Sequence, residues 1–231
     1  MNPFDLWIMH FVNSFAHRSW AFDATMGVVA NSVFLNSAVL VSVYWWAWMT
    51  QKSDTNGIRE TLVVTLFLAN PLGVLVARVL AASLPYRERP VSDPQLHFNM
   101  PYAQTANALI HWSSFPSDHA VVVFCLATGL WMVSRRIGAW ALVYAALLSI
   151  PRIYAGIHYP TDILAGALMG IGFAFLAKVP SLRNIASTAL NYLSRRPAYL
   201  YILLFMWTFE TGELFDSLRQ FGVLGVKIAL K

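Results

Sequence analysis

The chain has 231 residues, of which 58% are hydrophobic and only 12% charged. An ordinary soluble domain is about half apolar and about a quarter charged, so a mean hydropathy of +0.55 excludes that class and points to one integral membrane domain over residues 1–231. The net charge of +5 comes from basic residues scattered among apolar runs, which argues against a nucleic-acid surface and for anchors at a membrane interface.

Met1 to Ala16 contains Asp5 and no lysine or arginine, so it lacks the basic start of a cleavable signal. Trp7, Met9, Phe11 and Phe15 alternate there with polar positions, a pattern that predicts a helix lying in the membrane interface. His10 and His17 read as interfacial. Six apolar segments approach the roughly 20 residues needed to cross a bilayer: 26–49, 61–84, 118–134, 138–157, 160–178 and 197–215. The expected fold is therefore all-α, a polytopic bundle of six membrane helices with an N-terminal interfacial helix. Cys125, the single cysteine, lies within an apolar run and permits no intrachain disulfide.

The connections are unequal. Residues 50–60, 135–137 and 179–196 are short to moderate and rich in basic residues. Residues 85–117 form one long loop containing Pro85, Pro90, Pro94, Pro101 and Pro116, and a loop of that length is usually functional. With six spans, the long loop falls on the same membrane side as the turn between the fourth and fifth spans. The basic connections carry Lys52, Arg59, Arg135, Arg136, Lys178, Arg183, Arg195 and Arg196. The other side has Arg18, Arg219, Lys227 and Lys231, plus Arg87, Arg89 and Arg152 if a site holds those three. The positive-inside rule then puts the long loop outside the cytoplasm.

Three polar blocks interrupt this apolar chain. Arg87-Glu88-Arg89-Pro90 opens the long loop. Phe115-Pro116-Ser117-Asp118-His119 closes it, with Ser117 a good N-cap and a free helix N-terminus suited to an oxyanion. The third block, Arg152 to Asp162, reads Arg-Ile-Tyr-Ala-Gly-Ile-His-Tyr-Pro-Thr-Asp. Pro160 fits the first position of a helix, so His158 precedes that helix and Asp162 lies in its first turn. A carboxylate there can accept a ring N–H from His158 and leave the other nitrogen bare, as a nucleophile or base. The bland alternative is dipole complementation by Asp162 and an Arg152 that snorkels to the interface. Together the blocks supply Arg89, Arg152, Ser117 and two histidines, an inventory suited to phosphoryl transfer. His97 and His111 read as loop hydrogen-bonding groups. Glu210 and Glu213, late in the last span, read as interface residues or as partners for Arg87 or Arg78.

The order Arg-Pro, Pro-Ser-x-His and Arg-x5-His-x3-Asp resembles the three-part signature of the type 2 phosphatidic acid phosphatase superfamily. The likeness covers residues 78–162 by motif and nearly the whole chain by the layout of spans. There are departures. Ala82 stands where the first block usually begins with lysine, with Arg87 or Arg78 as substitutes for its charge. Asp118 replaces the glycine of Pro-Ser-Gly-His. Pro151 stands where serine often precedes the arginine.

The resemblance implies that His158 attacks phosphorus to form a phosphohistidine, with Asp162 orienting it. His119 would protonate the leaving oxygen and then activate water. Arg89, Arg152 and Ser117 would hold the phosphoryl oxygens, with Arg87 and Asp118 beside them, and the Asp118 carboxylate would point away from phosphate towards an arginine. No cofactor or metal is called for, because the arginines supply the charge. The implied substrate is a lipid phosphate or diphosphate in the bilayer, undecaprenyl diphosphate first, with phosphatidylglycerol phosphate or phosphatidic acid as alternatives. A transporter is the competing reading of another class, but its charges belong near the midplane. A zinc site of His119, His158 and Asp162 has the right ligand count, yet two arginines would repel the ion.

Overall fold

The computed structural model describes residues 2–50, 57–102, 112–213 and 215. Lys52, His111, Arg219, Lys227 and Lys231 lie outside the described residues. Every regular element among the described residues is helical. Nine helices follow in order: α1 (Pro3–Asn13), α2 (Trp20–Asn31), α3 (Phe34–Thr50), α4 (Ile58–Ser83), α5 (Asp118–Val133), α6 (Arg135–Tyr154), α7 (Pro160–Lys178), α8 (Pro180–Ser194) and α9 (Pro197–Gly212).

The starts of these helices are written in local chemistry. Asn2 and Ser19 accept a backbone N–H at the first turns of α1 and α2, and Ser117 does so for α5. Pro3, Pro160, Pro180 and Pro197 occupy first-turn positions, where a missing N–H costs nothing.

α4, α6 and α7 are long and apolar enough to cross a bilayer, and α2 with α3 makes a fourth such unit bent by 57°. The expected single span 26–49 is thus broken. Ser32 adopts an extended conformation, and its hydroxyl accepts the Leu35 N–H at 3.2 Å. Asn36 then donates to the Ala30 carbonyl at 3.1 Å, so polar side chains take up the backbone groups that the break releases. α5 and α9 have 16 residues each, about 24 Å of helix against a hydrocarbon core of about 30 Å.

α5 is the central helix. Its residues from His119 to Val123 and from Cys125 to Leu130 are all buried. It packs mainly against α7 and α6, and its short length matters little because its neighbours, not lipid, surround it. Glycines bring the axes close. A side chain at Gly166 would run into the Ser117 carbonyl, and one at Gly170 into that of Val121. Small residues that let backbones approach are the usual contact in membrane bundles. The outer face carries Trp140, Leu168, Ile202 and Phe205, each at least 60% exposed, an apolar belt of the kind lipid covers.

Residues 179–196, expected as a connection, contain α8. The reason is visible in the spacing: Leu182, Ala186, Leu190 and Leu193 recur at helical intervals and face Val63, Val64 and Leu204 across an apolar groove of about 430 Å³.

Candidate active site

The long loop and the α6–α7 turn do meet. Val91 donates to the Gly156 carbonyl at 3.0 Å, and the Tyr159 hydroxyl donates to Asp93 at 2.8 Å. Gly156 has φ +67°, a left-handed conformation, and a Cβ there would sit 2.8 Å from the Phe98 ring, so glycine suits this turn twice over. The described part of the loop carries two single 3-10 turns, Pro90–Ser92 and Pro94–Leu96. Two N-terminal helices fasten it from outside. Asn13 exchanges two hydrogen bonds with Asn99, of 2.7 and 2.9 Å. Asp23, fully buried, accepts from the backbone N–H groups of His17 and Tyr102 and from the Tyr154 hydroxyl.

His158 is 2% exposed. Its Nδ1 lies 2.8 Å from the Ser114 carbonyl and 3.8 Å from Asp162 Oδ2. A carbonyl only accepts, so Nδ1 carries the proton and Nε2 is left bare. The orienting acceptor is thus the Ser114 backbone rather than the Asp162 carboxylate expected from spacing. Asp162 is occupied elsewhere: Oδ2 accepts the Tyr159 N–H at 2.8 Å, the reach-back of a capping box, and Oδ1 accepts from Arg87 at 2.6 Å. Burial is the largest influence on His158 and pulls its pKa below the ordinary histidine value. Arg152 and Arg89 act in the same direction, while Asp162 opposes.

Arg89 and Arg152 are held in the same manner. Arg89 Nη1 donates to the Ile157 carbonyl and Arg152 Nη1 to the Ala30 carbonyl, each at 2.8 Å. Both Nε atoms are buried without a protein partner, as are His119 Nε2 and Ser114 Oγ. Burial lowers the pKa of Arg89, with Asp118 and Asp162 pulling the other way. His158 feels Arg152 and Arg89 electrostatically, and His119 feels Arg152 and His158, so these groups belong to one neighbourhood. Buried polar atoms are nearly always paired, and four left open on residues of the three blocks and their flank are what a site for a polar ligand would offer. The donors, two of them on guanidiniums, match a tetrahedral oxyanion.

Ser117 is fully buried; its Oγ accepts the Ala120 N–H at 3.3 Å, and its own N–H donates to the Asp162 carbonyl at 3.1 Å. Asp118 faces Arg78, with 3.7 Å between Nε and Oδ2, which takes its charge towards an arginine. Arg87 is taken up by protein partners: Nη2 donates to Asp5 at 2.7 Å while Nη1 spans Asp162 and Thr161. Arg87, expected beside phosphate, is tied in this structure between two carboxylates. Among the described residues, no three His, Cys, Asp or Glu side chains converge as a metal site requires. Ser114 and Asp5 escaped the sequence reading, because nothing in the local pattern distinguishes a serine in a loop or an acid in a first helical turn.

Comparison with known proteins gives a consistent picture. The chain matches the PAP2 superfamily over residues 84–185, from the start of the long loop to the early part of α8. It is similar to the bacitracin transport permease protein BcrC of Bacillus licheniformis, 26% identical over 124 residues, 54% of this chain and 56% of that protein. It is also similar to the undecaprenyl-diphosphatase BcrC of Bacillus subtilis, 23% identical over 195 residues, 80% of this chain and 93% of that one. In three dimensions it resembles the crystal structure of Aquifex aeolicus LpxE, with a TM-score of 0.52 and 25% identity, covering 74% of this chain and 93% of the other.

Proposed function

We propose, from the match to the PAP2 superfamily over residues 84–185 and the geometry of the site, that this chain is a membrane lipid phosphatase whose first substrate is undecaprenyl diphosphate. The observation that carries the reading is the set of open buried donors, Arg89 Nε and Arg152 Nε, beside the bare ring nitrogen of His158.

In the reaction, the phosphoryl group to be transferred sits between Arg89 and Arg152, which balance the charge on its equatorial oxygens. His158 Nε2 attacks phosphorus, forming an N–P bond as the bond from phosphorus to the leaving oxygen breaks. His119 gives its proton to that oxygen. The dephosphorylated lipid departs, and the now neutral His119 takes a proton from water, which attacks the phosphohistidine and releases inorganic phosphate. Ser117 holds the start of α5 in place beside this centre. Asp162 acts on His158 through the turn that it caps, and at 3.8 Å its carboxylate also favours the positive charge that the ring acquires.

A lipid substrate is supported by the site's position at one end of an apolar bundle, where a headgroup can enter while its chain stays in hydrocarbon. The opposite end carries Arg59, Arg135, Arg136, Lys178, Arg183, Arg195 and Arg196, which favours a site facing the periplasm or exterior of a bacterial cell membrane. Transport, the activity in the name of one relative, finds less support: the charges described here lie at the ends of the helices rather than at mid-depth.

The test is phosphate release by purified protein in detergent from undecaprenyl diphosphate, phosphatidylglycerol phosphate and phosphatidic acid, with and without a chelator. The expected outcome is release that the chelator does not change and vanadate inhibits. Release from none of the lipids, or strict dependence on a divalent ion, contradicts the reading.

A further inference from the structure

We infer that Asp5, in the first turn of the N-terminal helix α1, is a positioning residue for the phosphohistidine chemistry and acts through Arg87. The inference rests on the function proposed above and adds to it a residue outside the three blocks.

α1 exposes Phe4, Trp7 and Phe11, yet Asp5 on the same helix is fully buried. Its carboxylate is saturated by groups of the site wall. Oδ2 accepts from Arg87 Nη2 at 2.7 Å and from the Thr161 hydroxyl at 2.6 Å, and Oδ1 accepts the Thr161 N–H at 3.0 Å. That N–H belongs to the first turn of α7, immediately after His158 and Tyr159, so α1 caps the very helix whose start defines the histidine turn. The hold is reinforced by Met9, which is buried against Leu96 and Tyr159.

Arg87 is the link. Its fork is stretched between two fully buried carboxylates, Asp5 on Nη2 and Asp162 on Nη1, and its guanidinium lies 4.1 Å over the Tyr159 ring. With Oδ1 of Asp162 fixed by Arg87 at 2.6 Å, Oδ2 is fixed between the Tyr159 N–H at 2.8 Å and His158 Nδ1 at 3.8 Å. Without the charge of Asp5, only the Thr161 hydroxyl and the Tyr159 ring oppose rotation of Arg87 into a two-pronged grip on Asp162. Asp162 would then give up the Tyr159 N–H, and the turn that aims His158 would loosen. A nucleophile displaced by a fraction of an ångström loses rate while substrate binding, made by Arg89 and Arg152, persists.

The experiment measures kcat, KM and thermal stability for wild type, Asp5→Asn, Arg87→Gln, the double variant and Met9→Ala, using phosphate release from the lipid that wild type accepts. Asp5→Asn is expected to lower kcat about tenfold with KM changed by less than about twofold. In the Arg87→Gln background the same substitution is expected to add nothing, because residues acting in series are not additive. Met9→Ala, which loosens α1 without touching the charges, is expected to lower the melting temperature and to cost less kcat than Asp5→Asn. Thr161→Val, which removes the hydroxyl shared by Asp5 and Arg87, serves if Asp5→Asn does not fold, and is expected to lower kcat about threefold at unchanged KM. An Asp5→Asn enzyme that loses stability with normal kcat, an effect that multiplies with that of Arg87→Gln, or a Thr161→Val enzyme with normal kcat overturns the inference. Absence of phosphate release by wild type itself would instead defeat the functional reading on which the inference rests.

Discussion

The two ends of this molecule are built by different means. Through the body of the bundle, α5 meets α7 and α6 by close approach of small residues, with Gly166 and Gly170 set against backbone and Val121, Leu126 and Leu130 fully buried. At the site end, hydrogen bonds between residues far apart in the chain take over: His158 to Ser114, Arg89 to Ile157, Arg152 to Ala30 and Arg87 to Asp5. The body is held by shape and forgives changes of chemistry. The site end is held by donors and acceptors, and it leaves unpaired the groups that phosphate would need. The lesson is that stability and activity are separable along the bundle axis.

Substitutions sharpen that division, beginning with the largest effect. His158→Ala is expected to reduce turnover by at least about 10⁴-fold with the helical circular dichroism signal unchanged, since no other group can take the covalent bond. Arg152→Ala or Arg89→Ala is expected to cost about 10²- to 10³-fold in kcat, the usual loss when one charge-stabilising donor is removed, and single-turnover measurements would locate it in the chemical step. Gly170→Ala probes the opposite case. A methyl group pressed against the Val121 carbonyl should destabilise the bundle by about 1–3 kcal/mol, read as a lower denaturation midpoint, with kcat per folded molecule within about twofold of wild type. Loss of activity without loss of stability in that variant would break the comparison. The smallest effect is on pH. Burial disfavours the imidazolium form of His158, so the acid limb of kcat/KM should fall below the ordinary histidine value of about 6.5, where an exposed histidine nucleophile would already be protonated.

The same division explains what could be read in the sequence. Apolar runs announce α4, α6 and α7, the last two with Ser134 and Pro160 at their starts, because helix signals are local. The spacing of His158, Pro160 and Asp162 announces a histidine turn at a helix start for the same reason. Ser117 at the start of α5 also follows from local chemistry. Long-range choices were not legible. Asp162 was expected to orient the His158 ring, but which of two acceptors takes Nδ1 depends on where Ser114 arrives from 44 residues away. Arg87 was expected beside phosphate, but Asp5 arrives from 82 residues away to claim it. The break at Ser32 and the helix over Pro180–Ser194 were missed for another reason: mean hydropathy hides both a single polar kink and an apolar stripe among arginines.

The central claim is that His158 becomes covalently phosphorylated in a site made by Arg89, Arg152 and His119. The most direct test is to quench purified protein in alkali during turnover of a lipid labelled in its terminal phosphate, and to locate the label by peptide mass spectrometry. The account predicts an alkali-stable, acid-labile phosphoryl group on His158 that is absent from His158→Ala. Label on any other residue, or turnover without a covalent species in wild type, would contradict it.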